Sequence, residues 1–196
     1  MVKKVTKYKI IGLYLNNYNK RLYLREIASL LKKPHQTIKP YVQLLIKENI
    51  LKKEKRKSII DYSLNLKNPL IYDFIVIAEK ENLQEKLQEE IYIKILFERF
   101  SVFFKKNIYI LFGSSVNKIK EKSDIDILII GNKDCSNAIK EFEETYNKRL
   151  HIIQISNINK LNITLIKEVY KKHIIMNNTE EIINFLSELN EKNKLV

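Results

Sequence analysis

Glycine, proline, cysteine and tryptophan are scarce in this chain. Its 196 residues include three glycines, three prolines, one cysteine and no tryptophan. A single cysteine, Cys135, excludes an internal disulfide framework and a cysteine-rich zinc site. His35 and His173 have no cysteine or histidine partner at ligand spacing, so no zinc is expected. No apolar run approaches the roughly 18 residues that a membrane span needs. The stretch Ile10–Leu15 is too short for a signal peptide and runs into Asn16–Asn17 without a small-residue cleavage site. There is no internal repeat and no Pro/Gly/Ser-rich linker. With so few of them, Gly12, Gly113, Gly131, Pro34, Pro40 and Pro69 are each expected to mark a backbone requirement. Apolar residues make up 45% of the chain, enough for a packed core. A soluble, cytoplasmic, globular protein without a membrane partner is expected.

The positive charge is unevenly spread. Residues 1–66 hold 16 Lys/Arg against 4 Asp/Glu, whereas residues 67–196 hold 20 against 19. Nearly all of the formal net charge of +13 therefore lies in the first third. This pattern describes a basic module joined to a nearly neutral one, and a basic module favours a polyanion.

Within the basic third, apolar spacing predicts a helix over 3–17, a second over Tyr23–Lys32, and a break at Lys33–Pro34–His35. A third helix turns Ile38, Val42, Leu45 and Ile46 inward. Pro40 predicts that this helix begins near Gln36 or Thr37, or is distorted there. Ile60, Tyr62, Leu64 and Leu66 alternate with polar residues, which is strand period. The basic segment Lys52–Lys57 is then expected at the turn of a hairpin. Three helices followed by a basic hairpin resemble a winged helix-turn-helix domain over residues 3–66. The resemblance implies that the third helix enters the major groove of double-stranded DNA. Gln36, Thr37, Lys39 and Gln43 are then the candidates for base edges, since Gln can pair bidentately with adenine. Lys52, Lys53, Lys55, Arg56 and Lys57 are the candidates for phosphate contacts. The alternative use of such a domain is protein contact or a homodimer.

Asn68–Pro69 reads as an N-cap followed by proline at the first helical position. Leu83, Leu87, Ile91 and Ile95 then recur every four residues, which predicts one apolar helical seam in the connecting segment.

The chemistry lies in Asn107–Gly131. A buried strand, Ile108–Phe112, ends in Gly113–Ser114–Ser115; a polar stretch leads to Ser123–Asp124–Ile125–Asp126 and the apolar run Ile127–Ile130. Read as a strand, the second segment puts Asp124 and Asp126 on one face. Two like charges on a half-buried face repel, and a divalent cation removes the conflict. Asp-x-Asp is therefore a sensible oxygen-donor site for Mg²⁺ or Mn²⁺. Gly113 allows close backbone approach, and Ser114 and Ser115 suit the phosphates of a nucleoside triphosphate.

An apolar strand, Gly113–Ser114, nine intervening residues and Asp124–Ile125–Asp126 resemble the nucleotidyltransferase superfamily of DNA polymerase beta, over about residues 95–185. A winged helix joined to such a domain also resembles a group of archaeal predicted nucleotidyltransferases and regulators. The resemblance implies metal-held triphosphate, in-line attack on the α-phosphorus and loss of pyrophosphate. It also implies a third carboxylate on a later strand. Here that strand, Arg149–Ser156, has no Asp or Glu, and His151 stands about where the carboxylate falls. Relatives often carry a second glycine after Gly-Ser, where this chain has Asn117–Lys118; asparagine can adopt the positive φ such a turn needs.

The expected fold is α+β: a winged helix-turn-helix over 1–66, connecting helices over 67–106, and a small mixed sheet of nucleotidyltransferase type with flanking helices over 107–196. Helices near Asn162–Lys172 and from an N-cap at Thr179 to Asn190 should cover the sheet. The expected function is transfer of a nucleoside monophosphate to a protein or nucleic-acid acceptor by a DNA-binding enzyme. Asp124, Asp126 and His151 are its catalytic candidates, and Asp124 and Asp126 its metal ligands. The alternatives are a winged-helix regulator with a degenerate, nucleotide-sensing domain, or an antitoxin-like partner of another protein.

Overall fold

The computed structural model describes residues 5–56, 58–116, 119 and 123–195. The chain divides into two units, Met1–Glu81 and Asn82–Val196. The division falls inside the segment 67–106 expected to connect two domains.

The first unit runs α1 (Lys7–Gly12), β1 (Leu22–Tyr23), α2 (Leu24–Leu30), α3 (His35–Lys47), β2 (Leu51–Arg56) and β3 (Ile59–Leu64). Thr6 caps α1, accepting from the Lys9 N–H at 3.1 Å. The helix stops at Gly12, not at 17. Residues 13–17 continue as tight turns, such as Tyr14 N–H to the Ile11 carbonyl at 2.9 Å. The Asn17 side chain takes the Asn19 N–H at 3.0 Å, a local bond that competes with helix. These turns bury Tyr14, whose hydroxyl donates to the Tyr62 carbonyl at 3.0 Å. Burial, with Glu26, Asp61 and Tyr62 nearby, pushes its pKa up and keeps it a donor.

α2 is shorter than expected at both ends: Tyr23 pairs with Asp61 as a strand, and Lys32 takes the left-handed conformation (φ 52°). α3 starts one residue before the expected range, at His35, and continues through Pro40. Proline removes the N–H that would reach the Gln36 carbonyl; Gln36 is exposed, so water can reach that turn. Ile38, Val42 and Leu45 are buried as expected, whereas Ile46 is half-buried.

The hairpin turn does not take in Lys52–Arg56, and Lys57 lies outside the described residues. Lys52–Arg56 lie in β2, in register with β3 from Leu51↔Leu64 to Arg56↔Ile59. The sheet order is β1-β3-β2, so β2 is an edge strand. An edge carries lysines readily, and their charge discourages pairing with another chain. Apolar alternation is therefore nearly absent from β2.

α4 (Ile71–Glu89) begins two residues after Pro69, and the Asn68 side chain accepts the Leu70 N–H at 2.8 Å. The expected continuous seam breaks at the extended Glu90 (φ −121°, ψ 102°), which restarts the helical phase in α5 (Ile91–Phe100). Ile91 is consequently 61% exposed, while Ile93, Leu96 and Phe100 turn into the core.

The second unit is built on β4 (Ile108–Phe112), β5 (Ile125–Ile130), β6 (Leu150–Ile155) and β7 (His173–Ile175), in the order β6-β5-β4-β7. β4 is antiparallel to β5 and β7, and β5 is parallel to β6. The parallel pair is joined by α6 (Ser136–Tyr146), the crossover that such a pair requires. Tyr109, Leu111, Ile125, Ile127, Ile129 and Ile174 share one core with Ile93, Leu96 and Phe100 of α5 and Phe142 of α6. Phe100 stacks on Tyr109 with ring centroids 4.7 Å apart. On the other face, Ile110, Leu128 and Ile130 line a narrow cavity with residues of α7 (Ile163–Lys171) and α8 (Thr179–Glu191). Strands covered on both faces read as continuous apolar runs, which is why β4 and β5 stand out in the sequence.

Three residues are too few for a periodic signal, and β7 has none. Asn162 caps α7, accepting from the Leu165 N–H at 2.8 Å. α8 is preceded by Asn178 in the left-handed conformation (φ 51°), so Thr179 is its first residue and not its cap. No helix among the described residues is long and apolar enough to cross a membrane.

Candidate functional site

The register of the second sheet brings four residues into one row. Phe112 pairs with Asp126 on one side and His173 on the other, and Asp126 pairs with His151. Ile125 and Ile127 are fully buried, so alternation turns Asp126 to the opposite face, shared with its row neighbour His151. The His151 Nδ1 lies 2.9 Å from Asp126 Oδ1. The Asp126 side chain is 26% exposed and that of His151 is 60% exposed.

The second carboxylate oxygen lies against Gly113. That residue has φ +72°, and a Cβ there would sit 2.6 Å from Asp126 Oδ2. Glycine is thus needed both for the backbone angle and for the space the carboxylate occupies. Gly113 opens a single 3₁₀ turn, Gly113–Val116, directly after β4. Ser114 is exposed on this turn. Ser115 is fully buried, and its hydroxyl donates to the Phe112 carbonyl at 2.9 Å. Its side chain thus closes the end of β4 and does not share the exposure of Ser114.

Asp124 departs from the expected arrangement. It precedes β5 by one residue and is exposed, so only Asp126 lies within the strand. Asn117 and Lys118, expected to complete the turn after Gly113–Ser114, lie outside the described residues. Among the described residues, no group of three or more His, Cys, Asp or Glu side chains is gathered to hold a metal ion. Two carboxylates are nevertheless a suitable protein share for Mg²⁺, which is commonly held by one or two carboxylates together with substrate phosphates. The all-oxygen donor set fits such an ion.

The other candidates belong to the first unit. Gln36, Thr37, Lys39 and Gln43 are all exposed on α3. Lys53 and Lys55 are exposed on β2, and Lys52 is half-buried. Lys57 and the side chain of Arg56 lie outside the described residues. Arg21 pairs with both Glu54 and Asp61, so part of the charge on this sheet is neutralised internally.

Sequence spacing alone did not show the Asp126–His151 bond. The usable signal was the strand register: aligning the apolar runs of β5 and β6 puts the two residues side by side. It also missed the row position of His173, which is buried with Nδ1 2.8 Å from the Val169 carbonyl.

Residues 98–182 match the family model described as Polymerase beta, Nucleotidyltransferase. The matched stretch contains all four strands of the second sheet, together with Gly113, Asp124, Asp126 and His151. The match supports a nucleotidyltransferase domain in the second unit, and the mixed α+β architecture is consistent with that fold. Neither the curated proteins nor the solved structures compared with the chain include a match.

Proposed function

We propose that the second unit is a metal-dependent nucleotidyltransferase that uses a nucleoside triphosphate, and that the first is a winged helix-turn-helix domain that binds double-stranded DNA. The observation that carries the enzymatic reading is Asp126, held between Gly113 and His151 where β4 ends and β5 begins, inside the stretch that matches the family. Asp124 and Asp126 would hold Mg²⁺ or Mn²⁺. Such an ion would offset charge on the triphosphate and on the departing pyrophosphate. Gly113 lets the phosphates approach the backbone, and exposed Ser114 offers them a hydroxyl donor. An acceptor hydroxyl on a protein or RNA would form the new bond to the α-phosphorus. The bond to the bridging oxygen breaks, pyrophosphate leaves, and the hydroxyl proton passes to solvent.

The DNA-binding reading is supported by the exposed polar face of α3 and by the lysines of β2. Gln36, Thr37, Lys39 and Gln43 would meet base edges, and Lys52, Lys53, Lys55, Arg56 and Lys57 the phosphates.

One observation favours a second reading. His151 takes the row position beside Asp126, and β6 has no carboxylate. A regulator that binds nucleotide without turnover fits that substitution.

The deciding experiment offers α-labelled nucleoside triphosphates, with Mg²⁺ or Mn²⁺, to the protein itself, to native lysate and to RNA. The wild type should transfer label, and Asp124→Asn and Asp126→Asn should reduce transfer at least a hundredfold while keeping the wild-type circular dichroism. Transfer undiminished in both variants sinks the assignment. Absence of label with every nucleotide and acceptor, alongside intact salt-dependent DNA binding, selects the regulator.

A further inference from the structure

We infer that His151 is a positioning residue that acts through Asp126. Its Nδ1–H holds Oδ1 and fixes the carboxylate so that Oδ2, beside Gly113, is the oxygen offered to a divalent cation. The inference rests on the reading of Asp126 as a metal-holding residue.

β5 and β6 run parallel, and Asp126 and His151 are direct row neighbours, so their side chains leave the sheet on the same face. The 2.9 Å contact is to Nδ1 and not to Nε2. A carboxylate oxygen only accepts, so Nδ1 carries the hydrogen in this bond. The terminal torsion of aspartate is broad, and a carboxylate without a partner turns freely. Here it is constrained from two directions. His151 engages Oδ1, and on the other side Oδ2 occupies the space that a Cβ at Gly113 would fill.

An imidazole brings no negative charge, so His151 does not replace the missing carboxylate as an ion's counter-charge. It supplies direction. Groups that hydrogen-bond a ligating side chain typically contribute roughly ten- to a hundredfold in metal affinity. The side chain of His151 is 60% exposed, so its replacement leaves no buried cavity.

The test is Mn²⁺ binding to the full chain, read by electron paramagnetic resonance and independent of turnover. The wild type should bind, and Asp126→Asn should not. His151→Ala should weaken binding roughly ten- to a hundredfold. His151→Asn should restore affinity to within about threefold, because its Nδ2–H₂ stands near the place of the imidazole Nδ1–H and it has no second ring nitrogen. All variants should share the wild-type circular dichroism spectrum. Wild-type affinity in His151→Ala overturns the inference. So does an asparagine variant as weak as the alanine one, which would make Nε2 the working atom. A wild type that binds no Mn²⁺ overturns the metal reading of Asp126 and this inference with it, a result distinct from either of the others.

Discussion

The two units handle charge in opposite ways. In Met1–Glu81 the candidate residues are many and alike, and most of the described ones are exposed: polar side chains along α3 and lysines along the edge strand β2. The effect of such charges is the sum of a field. In Asn82–Val196 the candidates are few, and close contacts fix the central one. Asp126 has one oxygen on His151 and the other against Gly113. A spread charge tolerates the loss of one member, whereas a site fixed by close contacts fails when one contact is displaced. Sequence conveys the two kinds of site differently as well, the first as composition and the second only as spacing.

The sharpest way to break this comparison is to add one methyl group to each unit. Gly113→Ala should have the larger effect. It forces a side chain into a positive-φ position and onto Asp126 Oδ2. Denaturant unfolding should show a loss of about 2 kcal/mol or more in the second unit, and Mn²⁺ binding should disappear. The field-like character of the first unit is tested by Lys53→Glu with Lys55→Glu. Duplex DNA affinity should fall roughly tenfold at moderate salt, equally for all sequences, and the salt slope should drop by about two. A sequence-dependent loss would show that these lysines read bases. The smallest effect belongs to Gly12→Ala, at the end of α1, where an added Cβ meets nothing within 4 Å. Helix propensity should raise the stability of the first unit by about 0.5–1 kcal/mol, measured in the same denaturant series. Destabilisation there would show that the contrast between the two glycines is not one of space and backbone angle.

How legible each element was in the sequence follows from how it is buried. β4 and β5 are covered on both faces and could be read to within two residues from Ile108–Phe112 and Ile127–Ile130. β2 is an edge strand of lysines and read as a turn, because the signal of a strand is its apolar face and β2 has almost none. The spacing over Leu83–Ile95 predicts one seam through Glu90, since nothing in it announces the extended residue that resets the helix. At the site, Gly113–Ser114 and Asp124–Ile125–Asp126 were visible because the chain brings them together through one short connection. Ser115 looked equivalent to Ser114, and only the fold turned its hydroxyl back to the Phe112 carbonyl.

By itself, then, the sequence determined the separation of a basic third from a nearly neutral remainder, the two apolar central strands, and the glycine and aspartates at their ends. These are properties of composition and local period, which neighbouring residues dictate without reference to the rest of the chain. The tertiary structure decided what those residues do to one another. The parallel pairing of β5 with β6 joins residues 25 positions apart, and it places an imidazole on Asp126. The approach of Asp126 to Gly113 depends on antiparallel register between β4 and β5. Both are long-range contacts whose geometry is set by sheet register, and register emerges only when the strands pack.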